Sequence, residues 1–409
     1  MTKPPRLVRL FAVGIFSLPF AFHFIFASES SPKVRQKTFE VVWKTVNEQY
    51  FDPEFGGVDW AAVRQLYAPQ VVNTKSDEEL RKLLSKMLGE IHISHLGIFK
   101  SEDLEQFTEL SVITGLALRD IDNEVVITRI LEGSSAEKAG LRAGFTIKQV
   151  DHAAVVNSGD AEVTLGGENQ KHRVGFLDDK DVLRETVLQN QLPASNKLVR
   201  VKLSWESAWY ALLESKRLAG GIGYIHFTNF IVPLKKKLLT ALETMKDAPG
   251  IIIDLRGNSG GSPEVSLAMA GMLFDNETQL AITRTRKGDD YSYKTKPQKN
   301  PYLGPIAILL DEQSGSESEQ IAAGLQEVGR AVVIGKTSKG KVMDGVGVEL
   351  PTGAILIYPV GQARTPKGVV IEGRGVIPNI EMTLTRAELL KGNDSQLEMA
   401  IEYIQQQKH

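Results

Sequence analysis

The chain has 409 residues, 42% of them apolar, and a formal net charge of −2. That length can bury two or three packed domains, and the charge excludes a generally basic nucleic-acid binder. With no cysteine anywhere, disulfides, thiolate chemistry and lipidated cysteine anchors are excluded as well.

Residues 1–30 read as an export signal. Lys3, Arg6 and Arg9 form a basic start, and Leu10 to Ala27 is mostly apolar, interrupted by Ser17, Pro19 and His23. Cleavage after Ala27 is one outcome. An uncleaved anchor is the other, for which about 18 apolar residues is the lower limit of a span. The internal Pro and His favour cleavage. The expectation is an exported protein of a bacterial periplasm or cell envelope, touching membrane only through this segment if it is kept.

Residues 31–105 carry helical periodicity. Phe39, Val42, Val46 and Tyr50 share one face beside Trp43, and Trp60, Val63 and Tyr67 mark a second helix. A third runs from Ser76 to Leu88, opened by the capping box Ser76-Asp77-Glu78-Glu79. Ser94-His95 follows in a turn. Alone, such a histidine is more often structural than catalytic.

Residues 111–205 read as a β module. Thr114 to Leu118 is a glycine followed by alternating apolar residues, Val125–Thr128 is a strand, and Ser135–Leu141 a short helix with a glycine stop. Val199–Leu203 alternates and is expected to close the module. The run resembles a PDZ domain, with Phe145 where that family usually has Asp. The resemblance implies peptide binding at Gly115, Leu116, Ala117 and Leu118, by strand addition to a sheet edge and amide capture of a terminal carboxylate. The polar stretch 159–194 has no assignment.

Residues 215–390 alternate strand and helix. Ile222–Phe227 is a strand and Leu234–Met245 a helix. Gly250–Leu255 is a buried strand running into a turn that ends at Gly260-Gly261, before a helix from Pro263 to Phe274. No Gly-Lys-Ser/Thr closes that turn, so phosphate-loop templates fail. Ile306–Leu310 is a further strand. The polar turn Asp311–Ser318 follows it, then helical spacing at Ile321, Ala322, Leu325 and Val328, a Gly329 stop and the strand Ala331–Ile334. A hydroxyl at such a helix start lies where free amides and the dipole stabilise an oxyanion. The plain alternative is that Ser314, Ser316 and Ser318 only cap the helix. A hairpin around Pro351-Thr352-Gly353 and a glycine-rich segment, Arg364–Asn379, complete this part. Residues 391–409 hold a last helix, Gln396–Ile404.

The segment SGSESEQIAAGLQEVGRAVVIGKTSKGK resembles the active-site segment of the C-terminal processing peptidases, or tail-specific proteases. Asp254-Leu255-Arg256-Gly257-Asn258-Ser259-Gly260-Gly261 resembles that family's Asp-x-Arg-x-Asn-x-Gly-Gly signature. Glu372-Gly373-Arg374-Gly375-Val376-Ile377-Pro378-Asn379 is similar to its closing segment, with Asn379 replacing Asp. The resemblance implies an α+β and α/β multidomain fold: an N-terminal helical region, a PDZ-like module and a ClpP/crotonase-like core.

It also implies a serine endopeptidase. Ser316, three residues before Glu319, is the matching nucleophile. Gly260 or Gly261, with the Glu317 amide, forms the oxyanion hole. Two bases compete. Lys341 stands 25 residues after the serine, but the glutamine that supports such a lysine is replaced by Gly345. In a branch that includes the tricorn core protease a Ser-His pair supplies the base, and here Ser94, His95 and Glu372 are all present. The pattern favours His95 with Glu372, and Lys341 is the rival. The implied partner is a protein or peptide with a free C-terminus, with no nucleic acid, cofactor or metal, since no ligand spacing such as His-x-x-x-His occurs. Retinoid-binding relatives of the family leave a non-catalytic binding protein on the same fold as the alternative, and a PDZ-bearing scaffold as a third.

Overall fold

A computed structural model describes residues 7–8, 29–100, 113–167, 169–193, 197–202 and 208–407. The segment read as an export signal lies outside these residues apart from Leu7–Val8, which pairs antiparallel with Val348 and Gly347, and the last two, Glu29 and Ser30. Among the described residues no helix is long and apolar enough to cross a membrane.

From residue 29 onward, three helices come first: Pro32–Gln49, Trp60–Val71 and Asp77–Gly89. Each has a side-chain cap, from Ser31, Asp59 and Ser76, satisfying an amide that the first turn leaves unpaired. Trp43 and Trp60 exchange bonds, each indole N–H donating to the other's carbonyl at 3.0 and 3.2 Å. The helices do not form a separate core. Phe39, Val46, Tyr67 and Leu84 are buried together with Val346, Val348, Leu356 and Tyr358 of an outer sheet. That sheet is antiparallel, in the order Asp344–Glu349, Ile355–Arg364, Gln279–Thr285, Asp290–Lys294. The short strand Gly97–Phe99 joins it by pairing with Ile355–Ile357.

The β module is a five-strand antiparallel path: Leu116–Ile121, Glu124–Ile130, Thr146–Val150, Lys171–Leu177, Leu183–Gln189. Leu118, Ile127, Leu141, Ile147, Val174 and Leu188 fill its core. The unassigned stretch 159–194 supplies most of the helix Ser158–Thr164 and the last two strands. The strand expected to close the module does something else. Leu198–Lys202 pairs antiparallel with Ala208–Arg217 and so belongs to the central sheet. Its partner follows closely in the chain, and pairing with it closes a far shorter loop than a return to the module.

The central sheet runs Ile380–Glu381, Val332–Gly335, Ile306–Leu310, Ile251–Asp254, Gly223–Phe227, Ala208–Arg217, Leu198–Lys202. The first five strands are parallel. Their near-continuous apolar runs are what burial on both faces demands. One face packs against helices Val232–Glu243, Pro263–Gly271 and Glu317–Glu327 through Leu238, Met269, Ile321 and Leu325. The other is covered by Ser395–Gln406, whose Ala400 and Ile404 lie against Ile222, Tyr224 and Ile252. The C-terminal helix is therefore part of the core.

Candidate active site

Ile251–Asp254 and Ile306–Leu310 are neighbours in parallel register, so the turns leaving their carboxyl ends lie side by side. Parallel sheets place ligands at such edges. Asn258 ties the two turns together. Its carbonyl accepts the Gly315 amide and the Ser318 hydroxyl, both at 3.0 Å, and its side-chain amide donates to the Phe227 carbonyl at 2.9 Å. Asp311 opens the Ser turn. It accepts the amides of Gly257, Gln313 and Ser314 and, at 2.7 Å, the Arg119 guanidinium of the β module. Burial opposes its charge, but Arg119 and these amides hold its carboxyl below the usual range.

The three serines divide. Ser314 donates to the Leu255 carbonyl at 2.8 Å and Ser318 to Asn258, and both are fully buried. Ser316 is only partly buried and stands at the N-cap of its helix, in a capping box with Glu319. Its backbone has φ 53° and ψ −120°, a strained setting for a residue with a Cβ. The Ser316 amide holds that setting by donating to the Lys341 carbonyl and the Glu319 carboxylate, each at 3.0 Å. Glu319 is buried and also accepts the Ser338 hydroxyl and the Gly340 and Lys341 amides. With four donors it is a clamp between the Ser turn and residues 338–341.

The Glu317 amide is the first of its helix and has no intrahelical partner. A Cβ on Gly260 would fall 2.6 Å from Ser316 Cβ and 2.8 Å from the Glu317 nitrogen. No side chain fits between the two turns there. The Gly260 amide, however, donates to Asn258 Oδ1 at 2.9 Å. That donor holds its own turn, which corrects the expectation that Gly260 supplies the second oxyanion contact. Gly261 forms a parallel bridge with Phe230, in which Phe230 donates to the Gly260 carbonyl and Ser262 donates to the Phe230 carbonyl. In that pattern the Gly261 N–H points away from Phe230 and is the glycine donor left over.

His95 Nδ1 lies 2.8 Å from Ser94 Oγ, which donates to Glu372 Oε2 at 3.0 Å. Glu372 also accepts the amides of Ser94 and, at 2.7 Å, Val342. Val342 follows the residue whose carbonyl holds the Ser316 amide, so the His95 network and the Ser turn meet at residues 341–342. Burial pushes the His95 imidazole below its ordinary value; Glu372 and Asp344 oppose this, and Lys341 and Lys339 add to it. A Cβ on Gly345 would lie 3.4 Å from His95 Cβ. The imidazole thus stands beside the position where a lysine-supporting glutamine is missing. Lys341 itself is exposed, whereas a lysine base needs a desolvated amine. No hydrogen bond joins His95 to Ser316 in this structure.

Across from these turns lies residue 115–118. Gly115 has φ 80°, and a Cβ there would overlap Ser134 at 2.1 Å. Leu116 and Leu118 point into the module core, and the Leu116 amide donates to Thr114 Oγ1 at 3.1 Å. Ala117 and Arg119 instead border a cavity of about 680 Å³ that also reaches Ser259, Gln313, His226 and Lys339. The sequence reading did not anticipate the Arg119–Asp311 pair, nor the burial of the Glu317 side chain against Ser266. An acid directly after a buried strand was a usable hint for Asp311. Nothing local marked its partner.

A serine set in a strained turn at a helix head, near a glycine-rich turn and a histidine that a hydroxyl and a carboxylate orient, is the construction of a serine-type hydrolase. Comparison with known proteins makes this particular: residues 221–382 match the Peptidase family S41 model and residues 31–89 the Tricorn protease C1 domain. Residues 221–382 are a family S41 domain, and the protein is a serine-type peptidase. The chain is 26% identical over 350 residues to a carboxyl-terminal-processing protease of Picosynechococcus sp., covering 82% of this chain and 80% of that one. It is 26% identical over 380 residues to the Synechocystis sp. protein of the same name, at 90% and 86% coverage. Among solved structures, a photosystem II D1 C-terminal processing protease superimposes with a TM-score of 0.59 at 21% identity, over 88% of this chain and 98% of that one.

Proposed function

We propose that this peptidase is an exported endopeptidase that cleaves protein substrates near a free C-terminus, through an acyl-enzyme on Ser316. His95 takes the hydroxyl proton through Nε2, after approach or by way of one water, and later returns it to the leaving amine. Ser94 and Glu372 hold the ring by Nδ1 and stabilise the imidazolium. The amides of Glu317 and Gly261 receive the tetrahedral oxyanion. Water then releases the acyl group. The β module acts as a PDZ-like domain, taking an extended chain end along the free edge of Leu116–Ile121. The names of the curated relatives support the preference for C-termini.

The observation that carries this reading is Ser316 itself. Of three serines in the turn, it alone is not fully buried, and it alone has the strained backbone. A fluorophosphonate should label the wild type and leave Ser316→Ala unlabelled, with hydrolysis of a tailed peptide lost in parallel. Equal labelling of both proteins, or of neither, would favour a binding protein on the same fold.

A further inference from the structure

Glu317 contributes an amide to the oxyanion site, yet its side chain has no part in the mechanism above. That side chain is 5% exposed, and among the described residues no lysine or arginine forms an ion pair with it. Three elements face it. Helix Pro263–Gly271 brings Ser266, strand Asp344–Glu349 brings Asp344, and the edge strand Asp290–Lys294 brings Tyr293.

The Ser266 hydroxyl has a single proton and two oxygens within reach. One is the Pro263 carbonyl, at 3.2 Å. The other is Glu317 Oε1, in a very short contact. The Pro263 carbonyl already serves its own helix, whereas a buried Glu317 carboxylate would have this one neutral hydroxyl as its hydrogen-bond donor and leave most of its lone pairs unsatisfied, which is costly. A carboxylic acid demands less: Glu317 donates to Ser266 Oγ, and Ser266 donates to the Pro263 carbonyl.

The neighbouring acid differs. Asp344 Oδ2 accepts Thr283 Oγ1 at 2.5 Å, Tyr291 OH at 3.1 Å and Tyr293 OH at 3.3 Å, while Gln320 Nε2 donates to its Oδ1 at 3.4 Å. Four donors suit an ionised group. Two carboxyls in one site, one rich in donors and one poor, divide into a charged and a neutral member. Burial, opposed by the Ser266 bond and reinforced by Asp344, raises the Glu317 carboxyl to about 8.

We propose that Glu317 is a positioning residue that works as the neutral acid: the Glu317–Ser266–Pro263 chain fixes the amide that faces the oxyanion, and ionisation of Glu317 disables the site. The loss has a direct cause, since a carboxylate on the residue that holds the oxyanion sets like charge beside the charge that develops there. The proposal rests on Ser316 being the nucleophile.

The test reads, for each protein, the ratio of kcat/KM at pH 7 to that at pH 9 on a tailed peptide. The wild type should lose about tenfold over this interval if only the neutral acid is competent. Glu317→Gln cannot ionise and should bring the ratio close to one. Asp344→Asn removes the neighbouring charge and should move the alkaline fall to lower pH, which covers the case of a Gln variant that does not fold. A flat wild-type profile overturns the proposal. So does an alkaline fall unchanged in Glu317→Gln, or one that Asp344→Asn leaves in place or moves upward. Turnover by Ser316→Ala in the same assay would instead overturn the nucleophile assignment.

Discussion

His95 and Lys341 are close in the structure and opposite in character. The imidazole is partly buried and bonded through Nδ1 to a hydroxyl that a carboxylate orients; the lysine amine is in solvent. Replacing His95 by Ala should therefore lower kcat by two orders of magnitude or more, within the range general-base catalysis supplies, while Lys341→Ala should cost less than about tenfold. The reverse ranking in peptide cleavage would assign the base to the lysine. The pH dependence has a definite sign. A histidine whose value lies below 6.5 keeps its neutral form into mildly acidic solution. The acid limb of kcat/KM should thus have its midpoint below 6.5 and reach its plateau before the alkaline fall begins. A midpoint at or above 6.5 would contradict a desolvated imidazole. At this scale the sequence supplies Ser94, His95, Glu372 and Ser316 as residue types with a resemblance behind them. It cannot show that Gly345 leaves its space to His95, or that Gly260 has already committed its amide to Asn258, because both depend on contacts between distant segments.

Elements carry the geometry by a simple route. Adjacent parallel strands deliver two turns to one edge, and Asn258 binds one to the other. Gly260 is the tightest point of that junction. With φ 102° and a Cβ position 2.6 Å from Ser316 Cβ, Gly260→Ala must push the turns apart. Such a shift at the oxyanion site should cost about a hundredfold or more in kcat/KM. The folded state should survive, so an unchanged rate in a folded variant would show that the junction has slack. The strand–turn–helix units around residues 251–271 and 306–334 are legible in the sequence, because buried strands and amphipathic helices have distinct periods. Two elements were not. Leu198–Lys202 has a strand's alternation, which says nothing about which sheet it joins. The stretch 159–194 is polar because its strands expose much of their surface: Leu183, Arg184 and Glu185 all face solvent, and period-two burial is weak there.

The whole molecule is less modular than its motifs. The N-terminal helices and the outer sheet share one apolar cluster, with Val42 and Tyr358 in the same interior. The strand Gly97–Phe99 fastens the chain just after His95 to Ile355–Ile357. Leu84→Ala, in that cluster, should destabilise by about 2–5 kcal/mol. The amides of Val42 and Tyr358 should exchange with similar opening free energies, as members of one cooperative unit. Exchange at Val42 that is faster by orders of magnitude would show the helices to be a detachable appendage. Sequence periodicity reveals each helix but not this shared interior, since the outer-sheet residues that complete it lie hundreds of positions away.

Glu372 accepts hydrogen bonds from Ser94, near the beginning of the chain, and from Val342, near its end. A ribosome must therefore finish almost the entire polypeptide before the last part of the proton relay exists. Until that moment the nascent chain holds a hydroxyl with nothing aimed at it. The order of synthesis thus withholds the complete relay until the chain is nearly whole.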